Sequence, residues 1–243
     1  MPEYAAPMKS LILSLAGFAL LAPAVADARA AEPAKAVRKA PPKPKAKAKP
    51  APVVAPGPVL TPSPAAQRVI DWVSGVQDNR GLPWAVVDKV HATLFLFAPD
   101  GTRQAAVPVL IGIMPGDEAS PGVGTKTLAS LGPAEKTTPA GRYLAKFGLP
   151  VAGERVLWVD YATSVALHPI PKDAGAREKR RERMLSPTPD DNRITFGCIN
   201  VPQAFYTRQL RPTFRRKGGY VYILPDTRPI DEVFPRLRTQ APG

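Results

Sequence analysis

The chain has 243 residues, a formal charge of +13, 31 prolines, two histidines and one cysteine. That length allows one sizeable domain with extra segments, or two small domains. A single cysteine excludes an intrachain disulfide framework and a cysteine-rich zinc site, and His91 and His168 alone leave little for a histidine-based metal centre.

Residues 1–30 carry an acidic leader ending at Pro7, then Met8-Lys9, an apolar run from Leu11 to Val25 and the exit Ala26-Asp27-Ala28. A cationic start, an apolar stretch and an Ala-x-Ala exit describe a secretory signal peptide, cleaved after Ala28 or Ala30. The run is shorter than the roughly 20 residues a bilayer span needs, so no stable span is expected after cleavage. Residues 31–64 hold ten prolines, eight alanines and seven Lys or Arg against one acid, Glu32, and so supply +6 of the +13. Such a stretch cannot bury enough apolar surface to offset its ordering entropy, and is expected to be a disordered, extended, cationic linker. Two readings stay open for it: a tether that touches an anionic envelope, or a solvated spacer. From Ala65 onward 24 basic and 17 acidic residues leave +7, without basic clusters interleaved with aromatics. That distribution, behind an export signal, disfavours a nucleic-acid partner.

Residues 65–228 read as one domain. Ser63 is placed to cap a helix with Pro64 in its first turn, and Val69, Ile70, Val73 and Val76 recur on one face. Residues 85–98 read as one strand ending at the Pro99-Asp100-Gly101 turn, and 104–113 as its returning partner. Further strands are expected at 141–147, 156–160, 164–167 and 219–224, and a second helix at 202–210. Short strands separated by turns predict a mainly β fold, a β-sandwich or barrel-like core with peripheral α-helices. Residues 229–243 are expected to form a loosely packed, fraying C-terminal tail.

The lone cysteine lies in Arg193-Ile194-Thr195-Phe196-Gly197-Cys198-Ile199-Asn200. A lone cysteine is commonly an inert core residue. In an exported protein, however, an unpaired thiol is exposed to oxidation, and its retention asks for a reason. Gly197 gives the backbone freedom to turn, and a helix expected shortly after Cys198 favours a thiolate, predicting a thiol below the free value of about 8.5. A cysteine nucleophile needs a base. His168 ends a predicted strand, where the carbonyl of Pro169 is available to fix its tautomer, whereas His91 reads as a half-buried structural imidazole within a strand.

These residues resemble the L,D-transpeptidase catalytic domain (YkuD-like) of bacterial cell-wall enzymes. The resemblance covers nearly all of residues 65–228. It rests on the hairpin Val86 to Phe97, on Thr138-Pro139-Ala140-Gly141-Arg142-Tyr143, on Leu167-His168, on Thr195-x-Gly197-Cys198-Ile199-Asn200 and on the closing strand Gly219 to Ile223. Two departures stand out. Phe196 occupies the position of the family's usual histidine two residues before the nucleophile, and His168 lies 30 residues before Cys198, a longer interval than usual. The additional segment, residues 171–192, carries the basic run Arg177 to Arg183.

The resemblance implies an exported transferase of cell-wall biogenesis and cell shape, in the periplasm or cell envelope of a bacterium, acting on peptidoglycan stem peptides through a thioester. Cys198 is then the nucleophile, His168 the general base, the Pro169 carbonyl its orienting group, and Gly197 part of the backbone oxyanion hole. Arg193, Thr195 and Asn200 are candidate substrate-binding residues, with loop organisation an equal reading for Asn200; the basic run reads first as a solvated face, with a hold on stem-peptide carboxylates as the alternative. No metal and no cofactor are implied. The alternatives are a hydrolase that uses water as acceptor, an L,D-carboxypeptidase, and a non-catalytic peptidoglycan-binding module on the same fold.

Overall fold

A computed structural model describes residues 60–151, 154–172 and 177–239. The predicted signal peptide and all but the last residues of the predicted linker lie outside the described residues.

The domain is mainly β. Its principal sheet has eight strands, built from β1 (Trp84–Asp88), β2 (Thr93–Phe97), β3 (Arg103–Pro108), β5 (Gly141–Val151), β6 (Glu154–Asp160), β7 (Val165–Pro169), β9 (Ile199–Val201) and β10 (Gly219–Ile223), in the order β3-β2-β1-β10-β5-β6-β7-β9. The short strands β4 (Ile111–Gly112) and β8 (Arg193–Thr195) pair separately. Leu110, two residues beyond β3, exchanges both backbone hydrogen bonds with Asn200 on β9, so the two ends of the sheet meet and the sheet is a nearly closed barrel.

Two apolar clusters explain the texture of the strands. Ala85, Val87, Leu94, Leu96, Val221 and Ile223 point into the barrel beside Leu157, Leu167, Ile199 and Val201. The alternate residues Trp84, Val86, Phe95, Phe97, Tyr220 and Tyr222 point outward into a second cluster. Strands covered on both faces read as continuous apolar runs rather than alternating ones. The outer cover is α1 (Pro64–Val76), which buries Val69, Ile70, Trp72 and Val73, with the Ser63 hydroxyl accepting a hydrogen bond from the Ala66 N–H at 3.1 Å. A second helix, α3, residues 203–214, packs on the inner core. It contains a π turn at Tyr206–Leu210 and then Pro212, which has no N–H to continue the regular ladder. Phe205, Tyr206, Leu210 and Phe214 from this helix enter the barrel core.

Three expectations need correction. Residues 85–98 form two strands, not one. Asp88 accepts a hydrogen bond from the His91 N–H, Thr93 donates its hydroxyl to the His91 carbonyl, and Ala92 adopts φ 47°, making a tight turn without glycine or proline. His91 therefore sits in a turn with an exposed ring 3.0 Å from Asp88. The predicted return strand 104–113 breaks after Pro108, and its last residues turn to pair with β8. The tail does not fray over 230–239. α4 (Ile230–Val233) and the turn that follows bury Phe234 and Leu237, 3% and 2% exposed, in the outer cluster, with the Phe234 ring against Trp72 and Tyr222. Covering two such side chains contributes about 1.5–3 kcal/mol each, which outweighs the proline content of that segment. Leu60, at the end of the predicted linker, also packs on this cluster.

Candidate functional site

The site is assembled where β7, β9 and the loop before β9 meet. β7 and β9 are parallel, with Leu167 opposite Ile199 and His168 opposite Asn200. Leu167 and Ile199 face the core, so His168 and Asn200 share the opposite face. Continuing that register places Cys198 beside Ala166, one pleat along the same face from Asn200. The thiol accordingly takes a hydrogen bond from the Ala166 backbone and lies 3.6 Å from the Ser164 carbonyl.

His168 is held by its own chain. Its Nδ1 lies 2.8 Å from the Pro169 carbonyl oxygen, an acceptor only, so in the neutral ring the proton sits on Nδ1. Asn200 is fully buried and sits beside the ring, its amide nitrogen 3.3 Å from Nε2 and 3.5 Å from Nδ1.

The nucleophile loop is braced from two sides. The Thr195 hydroxyl donates to the Cys198 carbonyl at 2.6 Å and accepts from the Gly197 N–H at 3.2 Å. The Thr138 hydroxyl donates to the Gly197 carbonyl at 2.9 Å and accepts from the Gly112 N–H at 2.8 Å. Gly197 has φ 120°, and a Cβ there would stand 2.8 Å from the Thr137 carbonyl oxygen. Gly197→Ala is therefore expected to cost about 1–3 kcal/mol of stability and to displace the thiol. A lowered melting temperature with slower thiol alkylation checks this.

The sequence expectation of a depressed thiol is reversed in the free site. Burial pushes the Cys198 thiol up, and the Ala166 backbone and the Arg180 charge only partly offset it. The physical reason is local. A strand, β9, follows Cys198 directly, and the helix begins only at Gln203, so no helix N-terminus faces the sulfur.

The predicted substrate residues are all engaged. Thr195 ties the loop, and Asn200 accepts from Arg180. Arg193 donates to Asp226 at 2.8 Å, joining a buried cluster in which Lys89 contacts Asp117 at 2.9 Å and Asp226 at 3.2 Å. Lys89 also donates to the Thr138 carbonyl at 2.9 Å, linking this cluster to the nucleophile loop. Gly197 has its N–H occupied by Thr195. Phe196 is 43% exposed and carries the Lys136 ammonium 4.3 Å from its ring centroid, a cation–π contact that no histidine role explains.

Sequence reasoning did not single out Arg180 or Thr138 as site residues. Arg180 belongs to the basic run, yet on α2 (Arg180–Met184) it and Met184 are both buried, while Arg181 and Glu182 are exposed. The i, i+4 spacing of Arg180 and Met184 was the available signal. Thr138 lay in a segment read for its proline and glycine.

No family model matches the chain, and no curated protein matches it at a significant level. Among the described residues no helix is long and apolar enough to cross a membrane, and no group of three or more His, Cys, Asp or Glu is arranged to hold a metal ion. A surface hollow lined by Ser63, Asp88, His91, Leu224 and Arg228 shares no residue with the thiol site.

Proposed function

We propose that the chain is an exported cysteine acyltransferase acting on peptidoglycan stem peptides in the bacterial envelope, an L,D-transpeptidase. The observation that carries this reading is the parallel pairing of β7 with β9, which sets His168 opposite Asn200 and brings Cys198, in the loop just before β9, against the Ala166 backbone on β7, with the imidazole held by the Pro169 carbonyl. A protonated, partly buried thiol is inert by itself, so activation falls to a base. His168 Nε2, left unprotonated, is that base, in a Cys–His–carbonyl arrangement analogous to other triads.

In the reaction, the Cys198 sulfur attacks the carbonyl of the third stem residue as His168 takes the thiol proton. The C–N bond to the terminal D-amino acid breaks, His168 returns the proton to the leaving amine, and a thioester remains. An acceptor amine then attacks the thioester, gives its proton to His168 and releases the sulfur. The Gly197 N–H is committed to Thr195, which leaves the Cys198 N–H as the donor to the developing oxyanion.

Incubating the protein with a disaccharide-tetrapeptide tests this by intact mass. An adduct heavier by the acyl group, with release of a D-amino acid, is expected. A crosslinked product identifies transfer, and a shortened tripeptide product identifies water as acceptor. Binding to peptidoglycan without adduct or release over many hours overturns the enzyme reading in favour of a binding module.

A further inference from the structure

We propose that Trp158 and Tyr161 form a sugar-stacking platform beside the thiol site, which holds the glycan end of the acyl donor while its stem peptide lies across β7. The proposal rests on the acyl-transfer reading for the identity of the donor.

Trp158 on β6 lies directly opposite Ala166 on β7, and Leu157 directly opposite Leu167. Leu157 and Leu167 face the core, so Trp158, Ala166 and His168 share the outer face of the sheet. Trp158 is thereby a diagonal neighbour of His168 across the two strands. Cys198 lies against the Ala166 backbone from the other side. The tryptophan thus stands two strand spacings, roughly 10 Å, from the cysteine.

Tyr161, in the turn after β6, stacks on Trp158 with the ring centroids 4.7 Å apart and 26° between the planes. Tyr161 is 61% exposed, so core packing does not call for an aromatic ring there. Its placement is nevertheless fixed from two sides. Asp160 shapes the turn, its carboxylate accepting from the Ala162 N–H at 3.0 Å and the Thr163 hydroxyl at 2.7 Å. On β5, Gly148 leaves the space in which the two rings lie. A Cβ at that position would overlap the Tyr161 hydroxyl and stand 2.5 Å from the Trp158 ring.

An exposed stacked aromatic is flat and apolar, with a negative face. The C–H face of a pyranose ring is its complement, because its hydrogens carry slight positive charge and its hydroxyls stay in water at the rim. Lys146 lies opposite Trp158 on β5, but its side chain runs against Gly218, on the side away from β6, so the pair presents a face rather than a charge. The stem peptide of peptidoglycan is joined to its sugar through the first residue, and the proposed attack falls on the carbonyl of the third. Three extended residues span about 10 Å. That reach matches the separation of Cys198 and Trp158, so a stem laid across β7 brings its sugar over the aromatic pair.

The test compares two ligands on the full chain, a disaccharide-tetrapeptide and the same tetrapeptide without sugars. Calorimetry in a Cys198→Ala background, where no thiol can react, measures the two affinities with Tyr161 present and in Tyr161→Ala, Tyr161→Phe and Gly148→Ala. Melting curves establish that each variant is folded. With Tyr161 present, the sugar-bearing ligand is expected to bind about five- to tenfold more tightly than the sugar-free one. Tyr161→Ala is expected to bring this ratio to about one, as is Gly148→Ala, which displaces both rings without removing either. Tyr161→Phe is expected to keep the ratio. Equal affinities with Tyr161 present, or a ratio that survives in Tyr161→Ala, overturn the proposal. Tyr161→Ala removes a largely exposed side chain and decides alone should Gly148→Ala not fold. Adduct formation by the chain with Cys198 intact separates this proposal from the one it rests on. A chain with the Tyr161-dependent ratio but no adduct keeps the platform and loses the acyl-transfer reading. One that forms the adduct yet binds both ligands equally keeps that reading and loses the platform.

Discussion

Cys198→Ala is expected to abolish the covalent adduct, and His168→Ala to slow its formation by about 100- to 10,000-fold. The two effects differ in kind. Alanine at 198 removes the atom that forms the thioester, and nothing else in the loop replaces it, since Thr195 and Thr138 have their hydroxyls committed to backbone carbonyls. Alanine at 168 leaves the sulfur but removes the acceptor for its proton. Because burial pushes the Cys198 thiol up, little thiolate forms unaided near neutrality. The residual rate of His168→Ala should therefore climb with pH well above neutrality, where the thiol ionises by itself, while the wild-type rate is already substantial at neutral pH. Adduct formation against pH by intact mass separates the two profiles. Parallel wild-type and His168→Ala profiles would remove His168 from the base role.

Lys89→Met is expected to destabilise the domain by about 3–5 kcal/mol, lowering the melting temperature by about 10 °C or more. Lys89 is 1% exposed and its ammonium stands between Asp117 and Asp226, with the Gly116 and Thr138 carbonyls as further acceptors. Methionine fills the volume but leaves two buried carboxylates without their shared cation. Burial alone would raise the Asp117 carboxyl. The Asp226 N–H, Lys89 and the hydroxyl and N–H of Thr227 outweigh burial and hold it well below the usual carboxylate range. A depressed carboxyl contributes stability that is present above its unfolded pKa of about 3.9 and is lost as pH falls through the folded value. The wild-type domain should therefore keep this contribution in mild acid, and Lys89→Met should lose stability at a higher pH than wild type. Thermal unfolding between pH 3 and pH 7 measures both. Thiol alkylation should change too, because Lys89 anchors the Thr138 carbonyl while the Thr138 hydroxyl holds Gly197.

Much of the fold was legible because local chemistry and tertiary demand agree there. The Ser63–Pro64 helix start, the strands at Gly141, Val156 and Gly219, and the helix after Pro202 all appear within a few residues of their expected positions. The break at residues 89–92 was not legible, because that turn is made by side chains, Asp88 and Thr93, in a run whose composition is that of a strand. The three-residue strands β8 and β9 were missed for a related reason. They exist through pairing with β4, β7 and Leu110, and three residues show no periodicity of their own.

The amino-acid sequence by itself determined the mainly β class, the single cysteine, and the histidine followed by a proline carbonyl, since these follow from residue type and neighbours along the chain. Only the tertiary structure decided what the remaining polar residues do. It drew Arg193 away into an ion pair with Asp226, buried Arg180 over Asn200 and gave the Gly197 N–H to Thr195. It also replaced the expected helix N-terminus at the thiol with a strand. A buried polar group must find a partner, and the partners here come from segments 20 to 60 residues away or from loop geometry, neither of which has a signature in local composition. The single cysteine, the +13 charge and the prolines thus bound the chemistry and the architecture, while the ionisation state of the thiol and the hold on its base are properties of packing.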